Sequence, residues 1–361
     1  MVRPKTAATP AAAESPTPTI GSTRPSRVQM ADIARLAGVS VSTVSRALAG
    51  SPLINPQTRE RIAELARSVN YSINIGAQNL RLRQNKTVAV IVPYDPQTRQ
   101  HLSDPFFLSL IGSLADALTE RGHDMLLTRV PADRLDLAAQ VFSTGRASGI
   151  VLVGQWHHHD QLNEMAVRGV PFVVWGAQLP QQLYATVGGD NLSGGRQATA
   201  HLLAQGARRV LFMGDPALPE VGLRMQGWRE AHNQARLPLD EALMRPTPFV
   251  AEAIADEVER VLQQGLAFDA IFCASDLMAM TVISTLRRHG LLVPDQVPVV
   301  GYDDIALAEH FHPPLTTVRQ PIAAAGQWLV EALMSQLAGE RVVPKLLPTE
   351  LVVRQSSGAM R

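Results

Sequence analysis

From residue 30 to residue 69 the apolar positions recur at helical spacing in three blocks. The first, Met30–Ala37, would place Ile33, Leu36 and Ala37 on one face, and the second, Val41–Leu48, would turn Val41, Val44 and Leu48 inward. Between them stands Gly38, the residue type that takes a left-handed turn at little cost. Ser40 follows in the position of a helix N-cap. A third block opens with Asn55 as cap and Pro56 at the first helical position, and carries an apolar stripe of Ile62, Leu65, Ala66 and Val69. Two short helices joined by a tight glycine turn predict a helix-turn-helix. Neither is long enough to persist alone, since about 12–15 residues are usually needed, so the third helix must complete a shared core. Beyond residue 86 the pattern changes. Short apolar runs rich in β-formers ("TVAVIVP", "DMLLTRV", "GIVLVGQ", "PFVVWG", "RRVLFMGD", "AIFCAS", "VPVVGYD") alternate with helical stretches such as Phe107–Arg121 and Asp276–His289. That alternation predicts an α/β body of parallel sheets flanked by helices, long enough to split into two subdomains. The glycine-rich "NLSGGRQ" lacks the lysine of a phosphate loop and reads as a helix start.

Charge adds a direction to this picture. Residues 24–86 hold ten Arg or Lys against three Asp or Glu, a net of +7, while residues 87–361 carry −7. A basic headpiece on an acidic body is the footprint of a polyanion binder. The outward face of the second helix would present Ser42, Thr43, Ser45 and Arg46, small and hydrogen-bonding, with Ser40 and Val41 at its start. Such a face suits the DNA major groove, with Arg46 reaching guanine or phosphate and Ser42 and Thr43 either. A helical hairpin with a merely solvated face is the competing reading; the glycine turn, the serine cap and the basic surroundings weigh against it. The 361 residues are 46% hydrophobic, enough for a sizeable core. No apolar run reaches the ~18–20 residues of a membrane span. Residues 1–25, rich in Ala, Pro, Thr and Ser, read as a disordered tail without the apolar block of a secretory signal. Cys273 is the single cysteine, so no internal disulfide can form, which fits a reducing cytoplasm.

The ends of the predicted strands carry the remaining chemistry. Ligands of parallel α/β folds bind at the carboxyl ends of strands. There the chain places Tyr94 and Asp95, Gln155 and Trp156, Trp175, Asp190, Ser275 and Asp276, and Asp303 and Asp304. Asp104 leads Phe106 and Phe107 into the next helix, and Arg224 opens "RMQGW". Carboxylates, an arginine and indole rings on one edge point to a carbohydrate, since charged groups pair with vicinal hydroxyls and aromatic faces cover the C–H face of a sugar. Phe106 and Phe107 either line this pocket or belong to the core, and Asp276 and Asp304 either cap helices or touch ligand. His157-His158-His159 lacks the spacing of a metal site, and Cys273 reads as an inert buried thiol. No G-x-G-x-x-G, P-loop or G-x-S-x-G occurs, and no convincing nucleophile and base stand together, so neither a cofactor nor an enzyme is expected.

"ADIARLAGVSVSTVSRAL" followed by "NPQTRERIAELARSVNYSINIGAQNLR" resembles the LacI/GalR family of bacterial transcription regulators. The later landmarks "DPFFLSLIGSLADALTERGHDMLL", "RMQGW", "CASDLMAM" and "VPVVGYDDIALAEHFHPPLTTVRQP" agree, so the resemblance runs from about residue 28 to residue 355. It implies a helix-turn-helix DNA-binding domain over 26–73, a hinge helix and linker over 74–86, and a periplasmic-binding-protein-like effector and dimerisation domain of two subdomains over 87–361. In the family the hinge orders on the operator and wedges a leucine into the minor groove. By that match Asn74 and Leu80 join Ser40, Val41, Ser42, Thr43, Ser45 and Arg46 as candidate DNA contacts. Gly76 weakens the isolated hinge helix by roughly 1 kcal/mol. Ala49 stands where many members have a polar residue, which removes one expected contact. Arg224, Ser275 and Asp303 match effector positions; with Asp104, Phe106, Trp156, Trp175 and Asp190 they form the candidate effector site. The resemblance implies a homodimer on double-stranded operator DNA, without membrane attachment, released by a sugar; a corepressed regulator with a purine ligand is the alternative. No leucine heptads follow "LVVRQSSGAMR", so no tetramerising coiled coil is expected.

Overall fold

A computed structural model describes residues 29–48, 51–69, 71, 85–95 and 101–358. The chain divides into two compact units, Met1–Arg83 and Gln84–Arg361. The tail, Ala49, and the linker positions Asn74, Gly76 and Leu80 lie outside the described residues.

In the first unit α1 spans Met30–Ala37, α2 Val41–Leu48 and α3 Pro56–Ser68. Gly38 ends α1 at φ +65°, and Val39 N–H donates back to the Ala34 carbonyl at 3.0 Å. A side chain at Gly38 would meet no neighbour, so it is the left-handed backbone that calls for glycine. Ser40 Oγ accepts from Thr43 N–H at 3.1 Å, and Asn55 Oδ1 accepts from Gln57 N–H at 2.9 Å, so both caps form as predicted. The core is Ile33, Ala34, Val44, Ala47, Ile62 and Ala66, with Ala37, Leu48, Leu65 and Val69 packed on it. Two inward assignments are corrected. Leu36 is 59% exposed and Val41 46% exposed. Leu36 sits about 200° around the helix from Ala34, and Val41 lies in the first turn of α2, beyond the stripe centred on Val44 and Ala47. Arg61 ties α3 to the end of α1 by donating to the Ala37 carbonyl at 2.7 Å.

The second unit holds two six-stranded sheets. β1 (Thr87–Ile91), β2 (Asp124–Thr128), β3 (Gly149–Val153), β4 (Phe172–Trp175) and β5 (Ala185–Gly189) build most of the first, with α4 (Pro105–Glu120), α5 (Asp136–Ser143) and α6 (His159–Val167) between them. The chain then forms α7 (Asn191–Ala204), β6 (Val210–Met213), α8 (Pro219–Gln234), β7 (Met244–Arg245), α9 (Ala251–Gln263), β8 (Ala270–Cys273), α10 (Asp276–Arg288), β9 (Val299–Asp303), α11 (Ala306–His310), β10 (Thr316–Arg319), α12 (Ile322–Leu337), β11 (Lys345–Leu347) and β12 (Glu350–Val352). Strand orders are β11-β5-β4-β3-β1-β2 and β12-β10-β9-β8-β6-β7. Every ladder is parallel except β10 with β12.

Burial on both faces explains the unbroken apolar runs. In the first sheet Val88, Val90, Val151, Val153, Val173 and Trp175 face a core shared with α4 and α12, whereas Ala89, Ile91, Ile150, Leu152, Phe172 and Val174 face α5 and α6. The chain crosses between sheets after β5, after β10, and between β11 and β12. α7 and α8 touch backbone to backbone: a side chain on Gly195 would strike the Arg224 carbonyl, and one on Gly227 the Leu192 carbonyl. The glycines of "NLSGGRQ" therefore belong to a helix, as read, and their small size sets where α8 lies.

Candidate functional site

Between the carboxyl edges of the two sheets lies a cleft of about 700 Å³, counting its open mouth. The first subdomain contributes Val153, Gly154 and Trp156 after β3, Trp175 at the end of β4, and Asp104, Phe106 and Phe107 at the start of α4. The second contributes Leu218, Glu220, Val221 and Arg224 from α8 and its lead-in, Phe249 before α9, Ser275 after β8 and Asp303 at the end of β9.

Arg224 is buried on the helix that the glycine contact positions. Its Nε donates to Asn191 Oδ1 at 2.8 Å, its Nη1 donates to the Ala274 carbonyl, and its guanidinium lies 3.7 Å over the Tyr302 ring. Asp303 stands at φ +118°, followed by Asp304 at φ +56°. Such backbone is costly for residues other than glycine and persists where the surroundings fix it. Asp304 supplies that fixing: its Oδ2 accepts from Arg319 Nε at 2.6 Å, and its Oδ1 forms an ion pair with Arg354 Nη2 at 2.7 Å. Asp303 Oδ1 accepts from Gln320 Nε2 at 2.8 Å. Burial pushes the Asp303 carboxyl up to about 7, against the opposing pull of Arg224, and nearby Asp104 adds to the rise. Asp104 is itself raised by burial, although its Oδ1 caps α4 by accepting from Phe106 N–H at 3.0 Å. Glu220, in the first turn of α8, is raised by burial too, with its own backbone N–H and Arg224 opposing. Ser275 Oγ caps α10, accepting from Met278 N–H at 3.2 Å. On the aromatic side Phe106 lies 6.4 Å from Trp175 and 5.7 Å from Phe107, centroid to centroid. Trp156 projects from a left-handed turn at φ +51°. Its neighbour His157 spans the two subdomains, Nδ1 to the Ala217 carbonyl at 2.9 Å.

Of the residues predicted at this edge, the structure brings together Asp104, Phe106, Trp156, Trp175, Arg224, Ser275 and Asp303, and Phe107 with them. Asp190 is placed elsewhere. It sits at the first chain crossing, where its carboxylate accepts from Ser193 N–H at 2.9 Å and its carbonyl accepts from Thr349 Oγ1 at 3.1 Å. Gln155 is spent on the Ala177 backbone and the Tyr184 hydroxyl. Asp276 accepts from Ile305 N–H and the Thr317 hydroxyl and ties the start of α10 to the loop after β9 and to strand β10. The three consecutive histidines turn to separate partners: His157 to Ala217, His158 to Gln161, and His159 to Tyr184. Cys273 is buried, and burial raises its thiol. Glu220, Phe249, Leu218 and Val221 were missed by the strand-end rule, because they enter from a helix and a loop.

The other candidate surface is α2. Its exposed residues are Val41, Ser42 and Arg46, with Thr43 and Ser45 half-buried beside them. Ser40 Oγ lies 2.8 Å from both Ser42 Oγ and Thr43 Oγ1, a hydroxyl cluster at the helix start. Asp32 pairs with Arg35 at 3.0 Å, and Arg46 stands on the exposed face with no ion pair among the described residues.

Residues 29–74 match the bacterial regulatory proteins of the lacI family, and residues 199–357 match a periplasmic binding protein-like domain. The HTH-type transcriptional regulator CelR of Thermobifida fusca is 35% identical over 336 residues, covering 90% of this chain and 96% of the relative. The chain belongs to the LacI family of bacterial transcription regulators. Within solved structures, a CelR–cellobiose complex is 32% identical with a TM-score of 0.69, covering 91% of this chain and all of that one. The lac repressor dimer bound to operator and an anti-inducer has a TM-score of 0.80 at 24% identity, over 91% of this chain and 99% of its own; that likeness speaks to fold. As in other LacI family proteins, the helix-turn-helix precedes a two-subdomain body. Among the described residues no helix is long and apolar enough to cross a membrane.

Proposed function

We propose that this LacI family member is a sugar-responsive repressor: a dimer that holds a pseudo-palindromic operator and lets go when a saccharide fills the cleft. The observation that carries the reading is the cleft itself, where carboxylates and one arginine face a cluster of aromatic rings. Carboxyl oxygens accept from sugar hydroxyls and guanidinium donates to them, while Trp156, Trp175 and the phenylalanines cover the apolar face of a ring. The similarity to CelR, solved with cellobiose, supports the same ligand class. Val41, Ser42, Thr43, Ser45 and Arg46 are the proposed groove contacts, with Ser40, Asn74 and Leu80 assigned from the family. A DNA target places the protein in the cytoplasm, and the cleft's chemistry serves binding rather than turnover.

Calorimetry of the purified chain against monosaccharides, disaccharides and purines tests this. A saccharide binding with micromolar affinity while purines give no heat supports it; binding of a purine alone replaces induction by sugar with corepression.

A further inference from the structure

The loop after β3 reads "QWHHH", and the sugar reading leaves its histidines unused. Both ends of this run are anchored inside the first subdomain. The Gln155 amide donates to the Ala177 carbonyl at 2.7 Å and to the Tyr184 hydroxyl at 2.9 Å, and the same hydroxyl lies 2.9 Å from His159 Nδ1. Trp156 and His157 stand between these anchors, and the left-handed turn at Trp156, φ +51°, persists because the anchors hold it. Trp156 lines the cleft, and the next side chain reaches the second subdomain, where His157 Nδ1 donates to the Ala217 carbonyl at 2.9 Å. The acceptor is as firmly set as the donor. Prolines 216 and 219 flank it, Asp215 Oδ1 accepts from Ala217 N–H at 3.0 Å, and the Asp215 carbonyl accepts from Leu218 N–H at 3.1 Å. The two loops act on each other at a second point. Burial pushes the Tyr184 hydroxyl up to about 12, against the pull of Gln155, and Glu220 from the opposite subdomain adds to the rise.

The chain crossings at 190, 320–321 and 348–349 are covalent, so they stay joined however the walls of the cleft move. His157 and Ala217 belong to loops outside those crossings, and a hydrogen bond between them lasts only while the walls stand together. Both residues are exposed, and neither lines the cleft. We propose that His157 is a positioning residue, the clasp of the cleft: without touching the sugar it holds the second subdomain against the first, and so retains a ligand stacked on Trp156. The clasp rests on the carbohydrate reading for its ligand alone. One net hydrogen bond shifts an equilibrium about two- to tenfold, and because donor and acceptor are each set by their own loop, little is lost in ordering them.

The test uses the full chain with His157→Phe, which keeps a ring and loses the donor, and His157→Asn, whose amide N–H stands close to the place of Nδ1. Without ligand, hydrogen exchange across residues 215–222 is expected to quicken about two- to tenfold in His157→Phe and to return toward wild type in His157→Asn. With each of glucose, galactose, maltose and lactose that binds the wild type, His157→Phe is expected to raise the Kd by the same factor. The change should lie in faster release, followed by stopped-flow tryptophan fluorescence, with association unaltered. Asp215→Ala frees the acceptor from the other side of the cleft and is expected to speed release likewise. Exchange across 215–222 that His157→Phe leaves as in the wild type overturns the clasp, and so does an unchanged Kd for a sugar that binds. If none of the four sugars binds the wild-type chain, the carbohydrate reading loses its support, while the exchange measurement still decides the clasp.

Discussion

Asp303 concentrates the tension in the site. Its backbone is held at φ +118° by the anchoring of Asp304 to Arg319 and Arg354, and its carboxyl is lifted to about 7. An unfolded chain releases that proton near pH 4. Between there and about 7 the folded protein holds a proton that the unfolded chain has lost, so stability from this group is full at low pH and falls as pH rises through that window. Asp303→Asn, which keeps an oxygen for Gln320, is therefore expected to raise the Tm at pH 8 and to flatten the dependence of Tm on pH between about 4 and 7. The same variant should weaken sugar binding. Thermal unfolding at pH 5 and pH 8 measures the first effect; a lower Tm at pH 8 would show that the ionised form is the stabilised one. Arg46→Ala removes an exposed side chain, so operator affinity in a gel shift should fall several-fold with Tm unchanged. Trp156, Trp175, Ser275 and Asp303 were legible in the sequence because each ends or directly follows an apolar strand. Glu220 and Phe249 were not, since the packing of helices on the second sheet aims them, and no strand pattern records that packing. Asp190 obeys the strand-end rule and is drawn off by a chain crossing, which a one-dimensional pattern does not contain.

At the level of elements, the α7–α8 contact is what carries Arg224 to the cleft. Gly195→Ala would press a methyl group into the Arg224 carbonyl. We expect a loss of about 1–3 kcal/mol, the usual cost of overpacking, together with weaker sugar binding, because the helices must part. Chemical denaturation and calorimetry on the same variant report both; an unchanged Kd would mean that the contact supports the fold without placing the arginine. The headpiece was readable to the residue, with α1 and α2 found at Met30–Ala37 and Val41–Leu48. Cap chemistry and a left-handed glycine are local signals. Its inward faces were read less well, because two-turn helices offer too few positions to fix a stripe, and Leu36 and Val41 were turned the wrong way. Strands β10, β11 and β12 escaped notice for a related reason. β11 and β12 have three residues each and pair with strands that are not their neighbours along the chain, and β10 is a four-residue run whose threonines and arginine break the apolar pattern.

For the whole molecule, three chain crossings join the two sheets of the body, so a ligand held between their edges can bias how far the cleft closes. The proposed function needs that bias to reach DNA affinity. An effect of 5–150-fold takes about 1–3 kcal/mol of coupling, against roughly 8 kcal/mol for a ligand bound with micromolar affinity, and by linkage the operator must weaken sugar binding by the same factor. Fluorescence anisotropy of the intact protein on its selected operator duplex, with and without the saccharide identified by calorimetry, measures this coupling directly. The expected result is an operator Kd at least about fivefold weaker when the sugar saturates the cleft; an operator Kd that stays the same, or tightens, with the cleft saturated would contradict sugar-induced release.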